Sequence, residues 1–270
     1  MEYSTSSSRS ASPLIAVVLA ASAATAFAIA QAPPLGYDDT PFQPNGKWRV
    51  HDSRRPRPEV VTPGASASAA PSDATVLLGP GADLSRWQAA DGSAPTWPIA
   101  NGVLETGKGM LESKATFVDV QLHVEFATPA KVEGSSQGRG NSGVFLAGVF
   151  EIQVLDSFDN PTYADGQAAA MYGQFPPLVN ASRRPGEWQT YDIVFTAPRF
   201  SGVALAATAT ATVFHNGVLV QNGRAFWGPT AHRRIDPYAP SNGRGPIRLQ
   251  DHQNPVRYRN IWVRELRETS

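Results

Sequence analysis

The sequence contains no cysteine among its 270 residues. Disulfides, thiolate metal ligands and a lipid attached through a cysteine thiol are therefore excluded. The chain also has no excess of charge of either sign, because 23 Lys and Arg residues balance 23 Asp and Glu residues. A neutral chain gives no electrostatic reason to expect nucleic acid or an anionic membrane surface as a partner. Stability must come from a large hydrophobic core.

Several catalytic motifs are missing as well. The sequence has no GxSxG nucleophile elbow, no phosphate-binding loop, no dinucleotide fingerprint and no HExxH zinc motif. Serine hydrolases of the α/β type, nucleotide-dependent enzymes and common zinc proteases are not indicated.

One long apolar run occurs, from Leu14 to Ile29, and Arg9 precedes it. Overlapping A-x-A sites between Ala26 and Ala32 follow the run, a pattern typical of a signal peptide. We predict a signal segment over residues 1–30 and a bacterial protein that is periplasmic or secreted. Stable membrane insertion is not expected after cleavage, and an uncleaved anchor is the alternative, because little basic charge precedes the run.

Composition divides the rest of the chain. Residues 31–74 are rich in proline, alanine and serine, and residues 64–72 (GASASAAPS) are typical of a flexible linker. From residue 75 to residue 267 the patterns are almost wholly those of β-strands. We predict one large β domain over residues 75–267.

Alternation of apolar and polar residues predicts the strands of this domain. In the segment 117–126, apolar side chains share one face, and the other face, which includes His123, is polar and expected to meet solvent. Asn101-Gly102 and Asn216-Gly217 lie between apolar runs and predict tight type I′ hairpins. Many short strands separated by glycine and proline turns indicate an all-β fold, an antiparallel two-sheet jelly-roll sandwich.

The segment 140–157 (GNSGVFLAGVFEIQVLDS) carries the first group of candidate site residues. In a strand, Glu151 and Gln153 share one face, whereas Ile152 and Val154 share the other. With Asp156, the segment partly matches the E-x-D-x-x-E signature of laminarinase-type hydrolases, in which two carboxylates cleave a glycosidic bond. A polar strand end with structural hydrogen bonds is the alternative.

Two further groups favour a polar binding surface. Arg139 and Asn141 lie in a glycine-rich run that lets the backbone approach a ligand, and their side chains suit sugar hydroxyl and carbonyl groups. Gln250, Asp251 and His252 precede a turn, and His252 is a plausible base because its unperturbed pKa is near neutrality. Tyr172 offers an aromatic surface for a sugar ring.

These motifs resemble, in order along the whole β domain, those of the 3-keto-disaccharide hydrolase family. The matching segments are DLSRW at 83–87, NGVL at 101–104, GNSGVFL at 140–146, EIQVLD at 151–156, GEWQTY at 186–191, LQDH at 249–252 and RNIW at 259–262. The resemblance implies a concanavalin A-like jelly roll that cleaves glycosides whose sugar is oxidised to a ketone at C3. In that chemistry a base removes the C2 proton and the C1 substituent leaves by elimination.

The resemblance implies the following roles as hypotheses. The base is His252 or Glu151, and Arg139 or a bound divalent metal polarises the ketone; Glu151, Asp156 and His252 are the candidate metal ligands. No cofactor is otherwise expected, and the partner is a carbohydrate substrate. The residues expected to contact that substrate are Asn141, Gln153, Tyr172, Gln250 and Asp251.

Two other functions stay open at this point. A retaining β-glucanase-type hydrolase would use Glu151 and Asp156 as its two carboxylates. A non-catalytic carbohydrate-binding module would use the same sandwich without turnover, since a fold does not by itself determine function.

Overall fold

The computed structural model describes residues 1–3 and 35–267. The predicted signal segment therefore lies, apart from its first three residues, outside the described residues. The chain divides into two compact units, Met1–Arg57 and Pro58–Ser270.

The described part of the first unit is small and is organised around one aspartate. Asp52 is 7% exposed, and its carboxylate accepts hydrogen bonds from the Arg49 and Arg54 backbone NH groups and from the Arg54 side chain. The guanidinium of Arg49 lies 4.1 Å from the centre of the Phe42 ring. Local polar contacts therefore organise the described part of this unit.

The second unit is built from strands, as the alternation patterns predict. Its only helical elements in the described residues are two single 3-10 turns, Ser136–Gly138 and Ala164–Gly166, and no described helix is long and apolar enough to cross a membrane. The strands are β1 Thr75–Leu78, β2 Trp87–Ala89, β3 Ile99–Ala100, β4 Val103–Glu105, β5 Leu111–Phe117, β6 Val120–Ala127, β7 Ser142–Leu146, β8 Phe150–Val154, β9 Gln189–Thr196, β10 Arg199–Ser201, β11 Ala204–Ala207, β12 Thr210–His215, β13 Val218–Ala225, β14 Gly245–Leu249 and β15 Arg257–Glu265.

Two antiparallel sheets face each other and enclose the core. The larger has eight strands in the order β13-β12-β9-β6-β15-β4-β3, with β1 also paired to β15; the smaller has five, in the order β2-β5-β14-β7-β8. β10 and β11 form a separate hairpin. This architecture confirms the predicted all-β, antiparallel two-sheet jelly-roll sandwich.

Side chains from both sheets meet in one continuous hydrophobic cluster. Phe126 and Tyr191 come from the larger sheet, with ring centres 4.7 Å apart, and Ile152 comes from the smaller. The Tyr191 hydroxyl donates to the Gln153 carbonyl at 2.7 Å, which ties β9 to β8 across the core. The backbone of β8 is therefore anchored on the side that faces the core.

Both predicted hairpin turns are confirmed. Asn101 and Gly102, between β3 and β4, have φ values of 52° and 74°; Asn216 and Gly217, between β12 and β13, have 52° and 79°. Two successive positive φ values are what a type I′ turn requires, and Asn-Gly adopts them at low cost.

The prediction that the polar face of β6 meets solvent is wrong at His123, which is only 1% exposed. The ring of Trp262 stacks on His123 at 5.3 Å, and Asp192 binds its Nδ1 at 2.7 Å. The indole NH of Trp262 in turn donates to the carbonyl of Ser68 at 2.9 Å. The segment before β1 thus covers this face, which local alternation cannot reveal.

Candidate functional site

β8 is an edge strand of the five-stranded sheet and carries Glu151 and Gln153 of the first group of candidate residues. Ile152 and Val154 are fully buried in the core, whereas Glu151 and Gln153 project from the opposite face. On β7, Phe145 pairs with Glu151 and Gly143 pairs with Gln153. The predicted two-residue alternation is confirmed, and it places a carboxyl and an amide side by side on the outer face of the sheet.

A cavity of about 530 Å³ lies over this face. It brings together six of the predicted site residues from three separate stretches of the chain, with walls formed by the loops around residues 137–141, 163–172, 230–232 and 250–252. The six are Asn141, Glu151, Gln153, Tyr172, Gln250 and His252.

Glu151 lies at the inner wall of this cavity and is 4% exposed. Burial raises the pKa of its carboxyl to about 8, since the charged form loses its hydration. No Lys or Arg side chain of the described residues forms an ion pair with it. A carboxyl with a pKa near neutrality is suited to act as a general base.

Gln153 connects Glu151 to the loop that carries the first 3-10 turn. Its Nε2 donates to Gln137 Oε1 at 2.8 Å, and Gln137 Nε2 donates onward to the Gly166 carbonyl at 2.9 Å. In the alternative amide orientation, Gln153 donates instead to Glu151 Oε1 at 3.1 Å. The amide can therefore present an oxygen to the protonated carboxyl or a nitrogen to the carboxylate.

Two amide oxygens at the cavity are buried without a hydrogen-bond partner in the part of the chain that the structure describes. They belong to Asn141, which is 3% exposed, and to Gln250. The Nδ2 of Asn141 donates to the Gln137 carbonyl at 2.7 Å, so that its side chain is held in place. Unsatisfied buried acceptors are rare and call for an explanation, and a hydroxylated ligand would supply the missing donors.

Tyr172 also lines the cavity, within a hydrogen-bonded group of three side chains. Its hydroxyl lies 3.0 Å from His232 Nδ1 and 3.1 Å from the Tyr163 hydroxyl. Burial raises the pKa of Tyr172 well above its usual range, with further contributions from the Tyr163 hydrogen bond and from the nearby charges of Glu151 and Asp165. The phenol therefore stays protonated and can donate a hydrogen bond.

His232 and Tyr163 are site residues that the sequence analysis did not identify. His232 lies in an irregular segment without strand periodicity, and Thr230 fastens that segment to the edge of the sheet. The Thr230 NH donates to the Val149 carbonyl at 3.0 Å, and the Glu151 NH donates to Thr230 Oγ1 at 3.0 Å. These contacts, between residues about 80 apart in sequence, help to bring His232 to the cavity.

The LQDH group is divided between two places. His252 is exposed at the rim of the cavity. Asp251 does not line the cavity, because its carboxylate accepts hydrogen bonds from Gly109 NH at 2.9 Å and Gln253 NH at 2.8 Å. The predicted contact between Asp251 and a substrate in this cavity is therefore not supported by its position.

Arg139 and Asp156 also lie outside the cavity, where they form a buried ion pair. Arg139 Nε donates to Asp156 Oδ2 at 2.6 Å, and the guanidinium also donates to the Phe158 carbonyl at 2.9 Å. The pair lines a separate cavity of about 300 Å³. The structure thus does not bring Arg139 to a ketone in the Glu151 cavity, nor Asp156 beside Glu151.

The three proposed metal ligands are consequently not assembled. Asp156 is bound to Arg139, and Glu151 and His252 line a different cavity. Among the residues that the structure describes, no three His, Asp or Glu side chains are arranged to hold a metal ion. We therefore derive no chemical step through a metal from this donor set.

Comparison with known proteins identifies the family. The sequence profile of the 3-keto-alpha-glucoside-1,2-lyase-like domain matches residues 73–264. A protein of Parabacteroides distasonis, described as a candidate glycosyl hydrolase and solved at 2.13 Å resolution, is 42% identical; the match covers 84% of this chain and 100% of that chain, with a TM-score of 0.74. No curated protein matches the chain.

Two more distant structures from Parabacteroides distasonis, also described as candidate glycosyl hydrolases, show the same fold. One is 21% identical with a TM-score of 0.53, over 72% of this chain and 99% of that chain; the other is 16% identical with a TM-score of 0.54, over 72% and 94%. The family match confirms the resemblance recognised in the sequence. The chain therefore belongs to the family of 3-keto-alpha-glucoside-1,2-lyase-like domains, and residues 73–264 form its carbohydrate-active or carbohydrate-binding domain.

Proposed function

We propose that this protein cleaves glycosides whose sugar carries a ketone at C3, by removing the C2 proton and eliminating the C1 substituent. The observation that carries the proposal is the buried Glu151 carboxyl, with a pKa of about 8, at the inner wall of a cavity rich in amides. A C3 ketone acidifies the C2 proton because the resulting carbanion is delocalised as an enolate. Such a reaction needs one well-placed base whose pKa is near neutrality.

The chemistry assigns a role to each group at the cavity. Glu151 takes the C2 proton, the C1–C2 double bond forms, and the C1–O bond breaks with its electron pair going to the leaving oxygen. Tyr172, kept protonated, donates a hydrogen bond to that oxygen as it gains charge. We place Glu151 ahead of His252 as the base because His252 is exposed at the rim.

The amides bind and orient the sugar. Asn141 and Gln250 present to sugar hydroxyl groups the buried oxygens that no described residue satisfies. The side-chain amide of Gln250 is the donor we assign to the ketone oxygen, in place of Arg139, whereas the Gln153 amide donates to the Glu151 carboxylate. Addition of water across the new double bond would complete a net hydrolysis.

We further propose that the protein acts in the periplasm or outside the cell, on the basis of the apolar segment near its N-terminus. In that location the protein would meet sugars oxidised at C3 before the cell takes them up. Fusion of residues 1–35 to a reporter that is active only after export tests this location. A reporter that stays inactive in the cytoplasm would contradict it.

The test of the reaction compares a methyl 3-keto-glucoside with its unoxidised parent. We expect cleavage of the oxidised compound alone, with deuterium from D₂O entering at C2 of unreacted substrate if deprotonation is reversible. Cleavage of the parent would favour a retaining glycosidase, although Asp156, the second carboxylate that such a mechanism would use with Glu151, is engaged by Arg139. Binding of both compounds without turnover would favour a carbohydrate-binding module.

A further inference from the structure

A second cleft adjoins the Glu151 cavity. It has a volume of about 800 Å³ and shares three wall residues, Tyr163, Tyr172 and His232, with that cavity. The two spaces therefore adjoin at these three side chains, which include Tyr172, the residue that we assign to the leaving oxygen. A ligand with its sugar over Glu151 would extend its C1 substituent past Tyr172 into this second cleft.

The two spaces differ in chemistry. The Glu151 cavity is lined by four amide side chains and a carboxyl, which suit a ring with many hydroxyl groups. The walls of the second cleft include the rings of Tyr163 and Tyr172 and the side chain of Ile235, which is 58% exposed. The imidazole of His232 lies nearly parallel to the Tyr172 ring, with 19° between the planes and 6.5 Å between the ring centres.

Three charged residues also line the second cleft: Asp165, Arg233 and Arg234. The Arg234 guanidinium is held by Asp236, with Nε 2.8 Å from Oδ1 and a terminal nitrogen 3.0 Å from Oδ2. The flat surfaces of the two tyrosines and the side chain of Ile235 favour a planar apolar group at this end of the ligand.

We infer that the second cleft binds an aromatic leaving group, so that the preferred substrates are aryl glycosides of a 3-keto sugar. This inference rests on the proposed function and names its substrate class. The step is balanced without a redox partner: the C2 proton goes to Glu151, the C1–O bond electrons go to the phenolic oxygen, and a proton from Tyr172 or water yields the free phenol. Ile235, which touches no reacting atom in this arrangement, sets specificity.

The test uses Ile235→Asn, which inserts a polar group without changing charge, and Ile235→Leu as the matched apolar control. Because Ile235 is exposed, both variants are expected to fold, which thermal unfolding checks. We measure kcat/KM for phenyl and methyl 3-keto-glucosides and divide the value of each variant by that of the natural protein on the same substrate. Differences in leaving-group acidity cancel in this ratio. We expect Ile235→Asn to lose about 10-fold on the phenyl compound and less than about twofold on the methyl compound.

Equal losses on both substrates, or no loss on either, would overturn the inference. An equally large loss on a 3-keto disaccharide would overturn the aromatic class and favour a second sugar in the cleft. If the natural protein cleaves no 3-keto compound, the proposed reaction fails by itself, and calorimetry with phenyl and methyl glucosides then tests the cleft. Tighter binding of the phenyl compound that is lost in Ile235→Asn supports the aromatic subsite, and equal binding of both compounds refutes it.

Discussion

The carboxyl of Glu151 occupies the space where residue 143 would otherwise carry a side chain. A Cβ atom built on Gly143 would lie 2.4 Å from Glu151 Oε1, well inside contact distance. The glycine of the GNSG motif is thus required for close approach and not for an unusual φ value, since its φ lies outside the left-handed region. Gly143 and Glu151 form one structural unit across the β7–β8 pair.

We therefore predict that Gly143→Ala displaces the Glu151 carboxyl and lowers kcat on a 3-keto-glucoside by about 100-fold, because small displacements of a catalytic group are costly. Stability should fall as well, and unfolding in denaturant measures that change. In a Glu151→Ala background the clash with the carboxyl is absent. Gly143→Ala should therefore lower the free energy of unfolding clearly less in that background than in the natural protein. Equal costs in both backgrounds would show that the carboxyl contact is not the cause.

Substitution at the two candidate bases should separate their roles. We predict that Glu151→Gln lowers kcat by about 100-fold or more and abolishes C2 deuterium exchange, as expected for removal of a general base. His252→Gln should retain kcat within about 10-fold, since His252 lies at the exposed rim. The opposite order of effects would transfer the role of base to His252.

The raised pKa of Glu151 predicts a pH dependence of activity. Because a base must be ionised, kcat/KM should rise with pH and level off above an apparent pKa of about 8. Initial rates at substrate concentrations far below KM, from pH 6 to 9.5, measure this profile. A profile that is flat across this range would contradict the assignment.

The same shift predicts a change of stability with pH, in the opposite direction. The folded pKa of about 8 exceeds the usual value of 4.5, so the folded state holds a proton that the unfolded chain has lost. The resulting contribution of Glu151 to the free energy of unfolding is fully present below pH 4.5 and is lost as pH rises through 8. Denaturant unfolding across this range should show it, and Glu151→Gln, which cannot ionise, should remove it.

Tyr172→Phe tests the proposed proton donor. The variant keeps the ring and its stacking with His232 but removes the hydroxyl. We predict a larger loss of kcat for substrates with poor, basic leaving groups than for nitrophenyl substrates, whose departure needs little assistance. A uniform loss across a series of leaving groups, measured by steady-state kinetics, would indicate that Tyr172 only positions the substrate.

The ion pair of Arg139 and Asp156 should matter for stability. Both side chains are largely buried, at 13% and 2% exposure, so removal of one charge leaves the other uncompensated. We predict that Arg139→Met lowers the free energy of unfolding by about 3–5 kcal/mol. The Arg139→Met/Asp156→Leu double variant should lose less than the sum of the two single changes, and additive losses would contradict a direct pairing.

Much of the fold was predictable because local patterns report local geometry. The two Asn-Gly turns require positive φ values whatever surrounds them, and the alternation over 150–154 allows only one side of β8 to carry Glu151 and Gln153. Six residues of the cavity were identified from motifs that resemble the family. By itself, then, the sequence determined the strands, the turns, the class of fold and the orientation of the central carboxyl.

Only the tertiary structure decided which polar groups share a cavity. Arg139 and Asp156 appeared as site residues because the sequence shows their types, but their pairing with each other depends on how two loops pack. His232 is brought to Tyr172 by contacts across 60 residues, and His123 is covered by a segment that precedes the sheet. Such contacts satisfy charges and hydrogen bonds across the whole chain, and no local pattern records them because the partners are distant in sequence.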